Sequence, residues 1–106
     1  MRDASIARNY AEALLTLAGK AKDTAGFGAL ISALGDAVSG DAQLQHFLEA
    51  PQISAAQKSA VLGKALADKA PRPFILFVQK LVANRRQMLI PAIATEYHDL
   101  LDAAEG

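Results

Sequence analysis

The sequence predicts an all-α fold, a six-helix bundle that forms a single domain over residues 1–106. Two observations support this fold class. Alanine, the residue with the highest helix propensity, supplies 23 of the 106 residues. Apolar residues also recur at helical spacing in six segments, which glycine or proline separates at most of their junctions. No segment reads as a convincing strand.

The first three helices are expected in the N-terminal half of the chain. The first runs from about Ser5 to Lys20 and carries an apolar arc that repeats every three or four residues. The second covers residues 24–39, and Gly40 ends it. Asp41 can cap the N-terminus of a third, short helix. The apolar side chains of that short helix are Leu44, Phe47 and Leu48.

Prolines mark the limits of the last three helices. Pro51 ends the third helix, and Ser54 followed by Gln57 is a capping-box pattern that predicts the start of the fourth. The fifth helix has Pro73 in its first turn, where a missing N–H is tolerated. The sixth begins around residues 87–89 and also has a proline in its first turn.

The predicted fifth helix is apolar on more than one side. One broad face holds most of the large apolar residues of the segment 74–84. Leu76 and Ala83 fall on the opposite side, between Gln79 and Lys80. A helix with this distribution needs two apolar partners. The domain's own core covers the broad face, and we expect a second protein chain to cover the other side.

Composition narrows the class of function. Eleven basic and eleven acidic residues give a formal net charge of zero, which argues against a nucleic-acid-binding protein. The lack of cysteine excludes disulfides and thiolate chemistry. No apolar run approaches the ~20 residues that span a bilayer, and the N-terminus shows no secretory signal pattern. We therefore expect a soluble protein that does not insert into a membrane directly.

No arrangement of polar residues indicates catalysis, a cofactor or a metal. The two histidines, His46 and His98, lie in different predicted helices without a partner at metal-ligand spacing. The sequence contains no serine–histidine–aspartate set and no phosphate-binding glycine loop. The acids at positions 96, 99 and 102 are expected to form a solvated face of the last helix. We therefore predict a protein that is not an enzyme.

A local basic stretch leaves two interpretations open. The segment 72–86 contains no acidic residue and four basic ones, Arg72, Lys80, Arg85 and Arg86. They form either a solvated face or a docking surface for an acidic or amphipathic segment of a partner.

Three short strings carry further information. Residues 6–14 read Ile-Ala-Arg-Asn-Tyr-Ala-Glu-Ala-Leu and match the pattern ARxYAxAL. Residues 47–53 match FLxNPxI with Ala50 in place of asparagine. Residues 82–86, Val-Ala-Asn-Arg-Arg, followed by Leu89 and Pro91, are similar to LxxNGRLxxLP, with Arg85 in place of glycine. In this order the strings resemble the ATP synthase delta subunit family, which includes the mitochondrial oligomycin-sensitivity-conferring protein, and they span nearly the whole chain.

The resemblance implies the N-terminal domain of such a subunit, with the usual C-terminal stalk-binding region absent from this sequence. It implies a non-catalytic stator component that helps couple the catalytic head of a rotary ATP synthase to the peripheral stalk during proton-driven ATP synthesis. The implied partners are the N-terminal helix of an alpha subunit and, through the missing region, the peripheral stalk. The implied location is the cytoplasmic side of a bacterial inner membrane or the matrix side in an organelle.

In that family the alpha helix docks in a groove between the first and fifth helices, which is also where the fifth helix has its second apolar side. Tyr10 offers an aromatic body with a polar tip, and the small Ala13 lets an incoming helix sit close. Lys80 can lay its stem on apolar surface. For Tyr10 and Leu76, packing inside the domain is the competing interpretation. The predicted partner-binding residues are Ile6, Tyr10, Ala13, Leu17, Leu76, Lys80 and Ala83.

The sequence leaves the turn after the fifth helix and the class of protein open. Because Arg85 replaces the family's glycine, the turn is expected to differ in shape, with Asn84 supplying the left-handed residue. A general helical adaptor domain is the alternative function. A helix-turn-helix regulator that uses Arg85 and Arg86 is a further one, which the neutral net charge disfavours.

Overall fold

Six α-helices and one 3-10 turn make up the structure. The computed structural model describes the backbone of residues 2–105 and the side chains of residues 4–104. That part of the chain contains no strand, which confirms the all-α bundle predicted from the sequence. The helices are α1 (Arg2–Lys20), α2 (Thr24–Gly40), α3 (Ala42–Glu49), α4 (Ala55–Leu66), α5 (Arg72–Ala83) and α6 (Ile90–Glu105), and the 3-10 turn Gln87–Leu89 leads into α6.

The predicted helix caps are present. The Asp41 carboxylate accepts hydrogen bonds from the backbone N–H groups of Gln43 and Leu44 at 3.0 and 3.2 Å. Ser54 and Gln57 form the full capping box, since each side chain accepts from the other residue's backbone N–H at 3.1 Å. Each cap satisfies N–H groups that a helix start leaves without an intrahelical partner. The starts of α3 and α4 are therefore fixed locally.

α1, α2 and α6 pack against one another and form one layer of the bundle. α2 lies close to α6 at Gly35, where a Cβ atom would lie 3.3 Å from the Ala94 Cβ and 3.4 Å from the Pro91 Cα. At Gly28 a Cβ would lie 3.2 Å from the Tyr97 ring. These glycines lower the helix propensity of α2, and the contact with α6 is the reason that the fold uses them.

Tyr97 anchors this layer from α6. Its side chain is fully buried, and its hydroxyl donates a hydrogen bond to the Thr24 carbonyl at 2.7 Å. Burial raises the pKa of Tyr97, and the nearby Asp23 carboxylate raises it further. The hydroxyl therefore stays protonated and keeps its role as a donor across the neutral range.

α4 and α5 form an antiparallel hairpin beside this layer. The Gln79 side chain crosses from α5 and donates to the Ser59 carbonyl at 3.0 Å. Gly63 makes room for that crossing, because a Cβ there would lie 2.7 Å from Gln79 Nε2. Phe74 joins the hairpin to α2 through an edge-to-face contact with Phe27, with ring centroids 5.9 Å apart. The first turn of α5 thus connects the hairpin to α2.

The turn after α5 differs from the prediction. Asn84 has φ −89° and ψ 2°, so it is not the left-handed residue. Arg85 takes that conformation itself, with φ 60°. The Arg86 N–H then reaches back to the Leu81 carbonyl at 2.8 Å, the bond that closes a helix end with a left-handed residue. The prediction for Asn84 was wrong because the backbone keeps the glycine-type turn despite the arginine.

Candidate partner-binding face

One flank of α1 faces α5 and carries the aromatic part of the candidate site. Tyr10 meets Phe77 of α5 edge to face, with ring centroids 6.3 Å apart and an angle of 79° between the rings. Ile6 and Leu17 lie four residues before and seven after Tyr10, so helical periodicity puts them on the same flank. Ile6, Tyr10 and Leu17 are all half-buried. Tyr10 and Leu17 pack against the core, and all three side chains still offer apolar surface to solvent.

A hydrogen bond closes the contact between α1 and the end of α5. Asn84 Nδ2 donates to the Tyr10 hydroxyl at 2.9 Å. Asn84 follows the last residue of α5, and the left-handed Arg85 turns the chain away directly after it. The Asn84 side chain is therefore held at the helix end, within reach of the Tyr10 hydroxyl. Sequence reasoning missed this pair, because its members lie 74 positions apart.

The outer side of α5 is open to solvent. Leu76 is 49% exposed, the largest exposed fraction of any large apolar side chain on α5. Lys80 and Ala83 are also exposed, as is Ala13 on α1. The broad face of α5 is sealed in the core, as the sequence predicts for Phe74, Val78 and Leu81. The two-sided apolar character of α5 thus leaves one side without a partner within the described residues.

Leu76 borders a cleft between α4 and α5, which we call the hairpin cleft. Its volume is about 490 Å³. Small residues of α4 and the following loop form one wall, and α5 forms the other. The residues that line it are Gly63, Ala67, Ala70, Arg72, Ile75, Leu76 and Gln79. The structure therefore brings Tyr10 into contact with α5 and puts Leu76 on the α4 side of α5.

Two buried polar residues went unpredicted. Lys58 of α4 is 7% exposed, and within residues 4–104 its ammonium forms no salt bridge. Gln87 of the 3-10 turn is 9% exposed and donates to the Leu48 carbonyl at 2.8 Å, while its Oε1 has no partner. Both line a second cleft, between α3 and α4. Nothing in the local sequence separates these two residues from ordinary surface polar residues.

A polar cleft between α2 and α6 holds His98. Its Nε2 lies 2.6 Å from the Ser32 hydroxyl, and Asp36 and Asp99 line the same cleft. Among the residues that the structure describes, no group of three or more histidine, aspartate or glutamate side chains is arranged to hold a metal ion. His46, the other histidine, is exposed on α3. The Ser32–His98 hydrogen bond joins α2 to α6.

None of the helices in the described segment combines the length and the hydropathy that crossing a bilayer requires.

Comparisons with known proteins identify the family of this chain. Residues 6–106 match the family model described as "ATP synthase delta (OSCP) subunit". Over 102 residues the chain is 63% identical to "ATP synthase subunit delta" of Gemmatimonas aurantiaca. The matched region is 96% of this chain and 55% of that protein. Proteins of the same name from Herminiimonas arsenicoxydans and Paraburkholderia phytofirmans are each 37% identical, with 97% of this chain covered. The matched region is 57% and 58% of those two proteins, so the chain spans a little over half the length of these relatives.

Proposed function

Because this chain belongs to the ATP synthase delta (OSCP) subunit family, we propose that it is a non-catalytic part of the stator of a rotary ATP synthase. In this proposal it is the N-terminal helical domain of a delta-type subunit. It holds the catalytic head, while contact with the peripheral stalk belongs to the part of the relatives that this chain does not cover. Its location is peripheral, on the cytoplasmic side of a bacterial inner membrane.

The proposed contact with the head is a helix bound in a groove. The N-terminal helix of an alpha subunit would lie between α1 and α5, with Tyr10 and Phe77 as its floor. Ala13 and Ala83 leave space for a close approach, and Lys80 offers a charge at the rim. The observation that carries this proposal is that Tyr10 bridges α1 and α5 while keeping part of its surface in solvent. Helix-in-groove recognition uses such a partly buried aromatic anchor.

The function of such a contact is mechanical. Rotation of the central shaft exerts torque on the head, and the stator keeps the head from turning with it. Exposed ion pairs contribute ~1 kcal/mol or less each, so a set of them alone holds weakly. Apolar area contributes about 25 cal/mol per Å² removed from water and does not weaken with salt. An apolar groove with a rigid aromatic floor suits this load better than a charged rim alone.

A calorimetric titration with a peptide of the alpha N-terminus tests the proposal. Tyr10→Ala should weaken binding by ~2 kcal/mol, because it removes the aromatic floor. Tyr10→Phe keeps the ring and loses only the bond to Asn84, so its effect should stay within ~0.5 kcal/mol. Leu76→Glu tests whether the groove extends across the outer side of α5, and should weaken binding by a similar ~2 kcal/mol if it does.

A matched control separates the groove from general effects of surface charge. Val61 on α4 is 49% exposed, the same fraction as Leu76, so Val61→Glu imposes an equivalent change on the other helix of the hairpin. It should leave the affinity unchanged. Equal affinity for the wild type, Tyr10→Ala and Leu76→Glu would refute the groove assignment. A stable dimer in sedimentation, without binding of the alpha peptide, would favour the adaptor function instead.

A further inference from the structure

The neutral net charge conceals a strong separation of charge along the chain. Residues 55–86, which contain α4, α5 and their flanking turns, carry seven basic residues and a single acid, Asp68. The rest of the chain carries four basic and ten acidic residues. The hairpin therefore has a formal charge of +6 and the remainder −6. A separation of this size creates a potential that attracts acidic partners to one part of the molecule.

The same hairpin carries two of the three large apolar side chains that are exposed in the described residues. These are Val61 and Leu76, each 49% exposed, and the third is Met88, beyond the hairpin. Leu76 borders the hairpin cleft, whose opposite wall is built from Gly63, Ala67 and Ala70. Arg72 lines the cleft as well. Apolar surface, a recess with small side chains on one wall and positive charge thus coincide.

We propose that the hairpin cleft is a second docking surface, which binds an acidic amphipathic helix of a partner protein. It lies on the α4 side of α5, so it goes beyond the groove beside α1 proposed above, and Leu76 is the one side chain that both assignments use. An apolar side chain of the partner helix enters the cleft between Leu76 and the Gly63–Ala67 wall. Carboxylates that flank that side chain face Arg72 at the cleft and Lys69 in the loop before it.

Charge and shape together select this occupant. A helix brings one row of apolar side chains at a spacing of three or four residues, which a narrow cleft can accept, and it needs no free backbone groups from the hairpin. An anionic bilayer is recognised instead by a wide apolar face with basic residues along its edges. The hairpin cleft exposes one large apolar residue, Leu76, and this is too little for stable insertion.

The test uses a designed probe with the whole chain. The probe is an 18-residue peptide with leucine at every third or fourth position and glutamate and alanine elsewhere, and its control replaces each glutamate by lysine. Amide shifts in 15N spectra of the chain report the binding site. The glutamate peptide should shift the resonances of Gly63, Ala67 and Leu76, and the lysine peptide should not bind. The dissociation constant of the glutamate peptide should rise with salt, as expected for a charged rim.

Substitutions of residues that line the cleft should weaken binding of the glutamate peptide by different amounts. Ala67 is exposed at the end of α4, so Ala67→Leu should fold normally while filling the cleft, and it should weaken the probe by about tenfold or more. Arg72→Gln removes one exposed charge and should weaken it by about two- to fivefold. Lys20→Gln also removes one positive charge, at the end of α1, and should leave the affinity unchanged. Val61→Ala, on the other flank of α4, should leave it unchanged as well.

The two docking proposals fail separately. Ala67→Leu should not affect the alpha peptide, and Tyr10→Ala should not affect the acidic probe. Equal binding of the glutamate and lysine peptides, or shifts confined to α1, would overturn the assignment of the cleft. So would binding of the chain to phosphatidylglycerol vesicles without binding of the probe. Concentration-dependent self-association that Arg72→Gln abolishes would assign the cleft to a second copy of this chain, and would equally overturn it.

Discussion

The molecule contains two tyrosines, and they mark two helix contacts of opposite kind. Tyr97 lies in the contact between α2 and α6, fully buried, and donates to a backbone carbonyl. Tyr10 lies in the contact between α1 and α5, half-buried, and accepts from the Asn84 side chain. Both rings belong to apolar helix faces with similar sequence patterns. Whether such a face is fully buried depends on the helix that packs against it. The sequence pattern of one helix carries no information about that neighbour.

Glycine is what seals the first contact. Gly28 and Gly35 let α2 approach α6 so closely that a Cβ atom at either position would lie only 3.2–3.3 Å from a side chain of α6. The contact between α1 and α5 has no comparable glycine, and an aromatic pair holds the helices apart. We therefore expect changes in the first contact to affect stability, and changes in the second to affect binding.

The largest expected effect is at Gly35. Gly35→Leu introduces a side chain where even a Cβ would lie 3.3 Å from Ala94, and it should lower the free energy of unfolding by about 2–3 kcal/mol. Gly19→Ala is the control, because a Cβ there meets nothing within 4 Å, and it should be neutral or slightly stabilising. Urea denaturation measures both. Equal stability of Gly35→Leu and the wild type would mean that the α2–α6 contact is looser than described.

A smaller difference is expected between the two tyrosine hydroxyls. Tyr97→Phe removes the hydrogen bond from a buried ring to the Thr24 carbonyl and should destabilise the fold by ~1–2 kcal/mol. Tyr10→Phe removes a bond that solvent can replace and should change stability by less than ~0.5 kcal/mol. Thermal unfolding of the two variants side by side would contradict the comparison if Tyr10→Phe proved the more damaging.

The pH dependence of stability tests the buried Tyr97. The pKa of Tyr97 is raised in the folded protein, first by burial and then by Asp23. Its contribution is therefore complete below the ordinary tyrosine pKa of ~10 and is lost as the pH rises above that value. Denaturation at a series of pH values from 8 to 11 should show a loss of stability in the wild type that is smaller in Tyr97→Phe. Parallel curves would show that another group is responsible.

The smallest effect is expected at the turn that positions Asn84. Arg85 adopts φ 60°, a conformation that an L-residue takes at a cost of ~1 kcal/mol and glycine takes freely. Because glycine also loses more entropy on folding, Arg85→Gly should stabilise the chain by only about 0.5 kcal/mol. Arg86 has φ −117°, so Arg86→Gly should destabilise it instead. A loss of stability in Arg85→Gly would mean that the arginine side chain contributes packing here.

The sequence predicted the features that local chemistry determines. Helix caps such as Asp41 and Ser54 with Gln57 act within four residues, so their spacing is visible in the chain. The order and number of helices followed from periodicity for the same reason. The turn at Arg85 was mispredicted because an arginine in a left-handed conformation is unusual, and the closing bond from Arg86 to Leu81 holds it there.

The candidate site could be predicted only in part. Helical periodicity identified the flank of α1 that holds Ile6, Tyr10 and Leu17, and the exposed side of α5. It could not give the neighbour of each side chain, so Leu76 was assigned to the groove beside α1 although it borders the cleft beside α4. The buried state of Lys58 and Gln87 depends on helices that are distant in sequence, and no local pattern reports it.

The most direct measurement is a map of amide chemical shifts for this chain on addition of the alpha N-terminal peptide. We expect the largest changes at residues 6–17 of α1, residues 80–83 of α5 and Asn84, while the α2–α6 contact around Gly35 and Tyr97 stays unchanged. Changes concentrated at the α2–α6 contact, or no changes at saturating peptide, would contradict it.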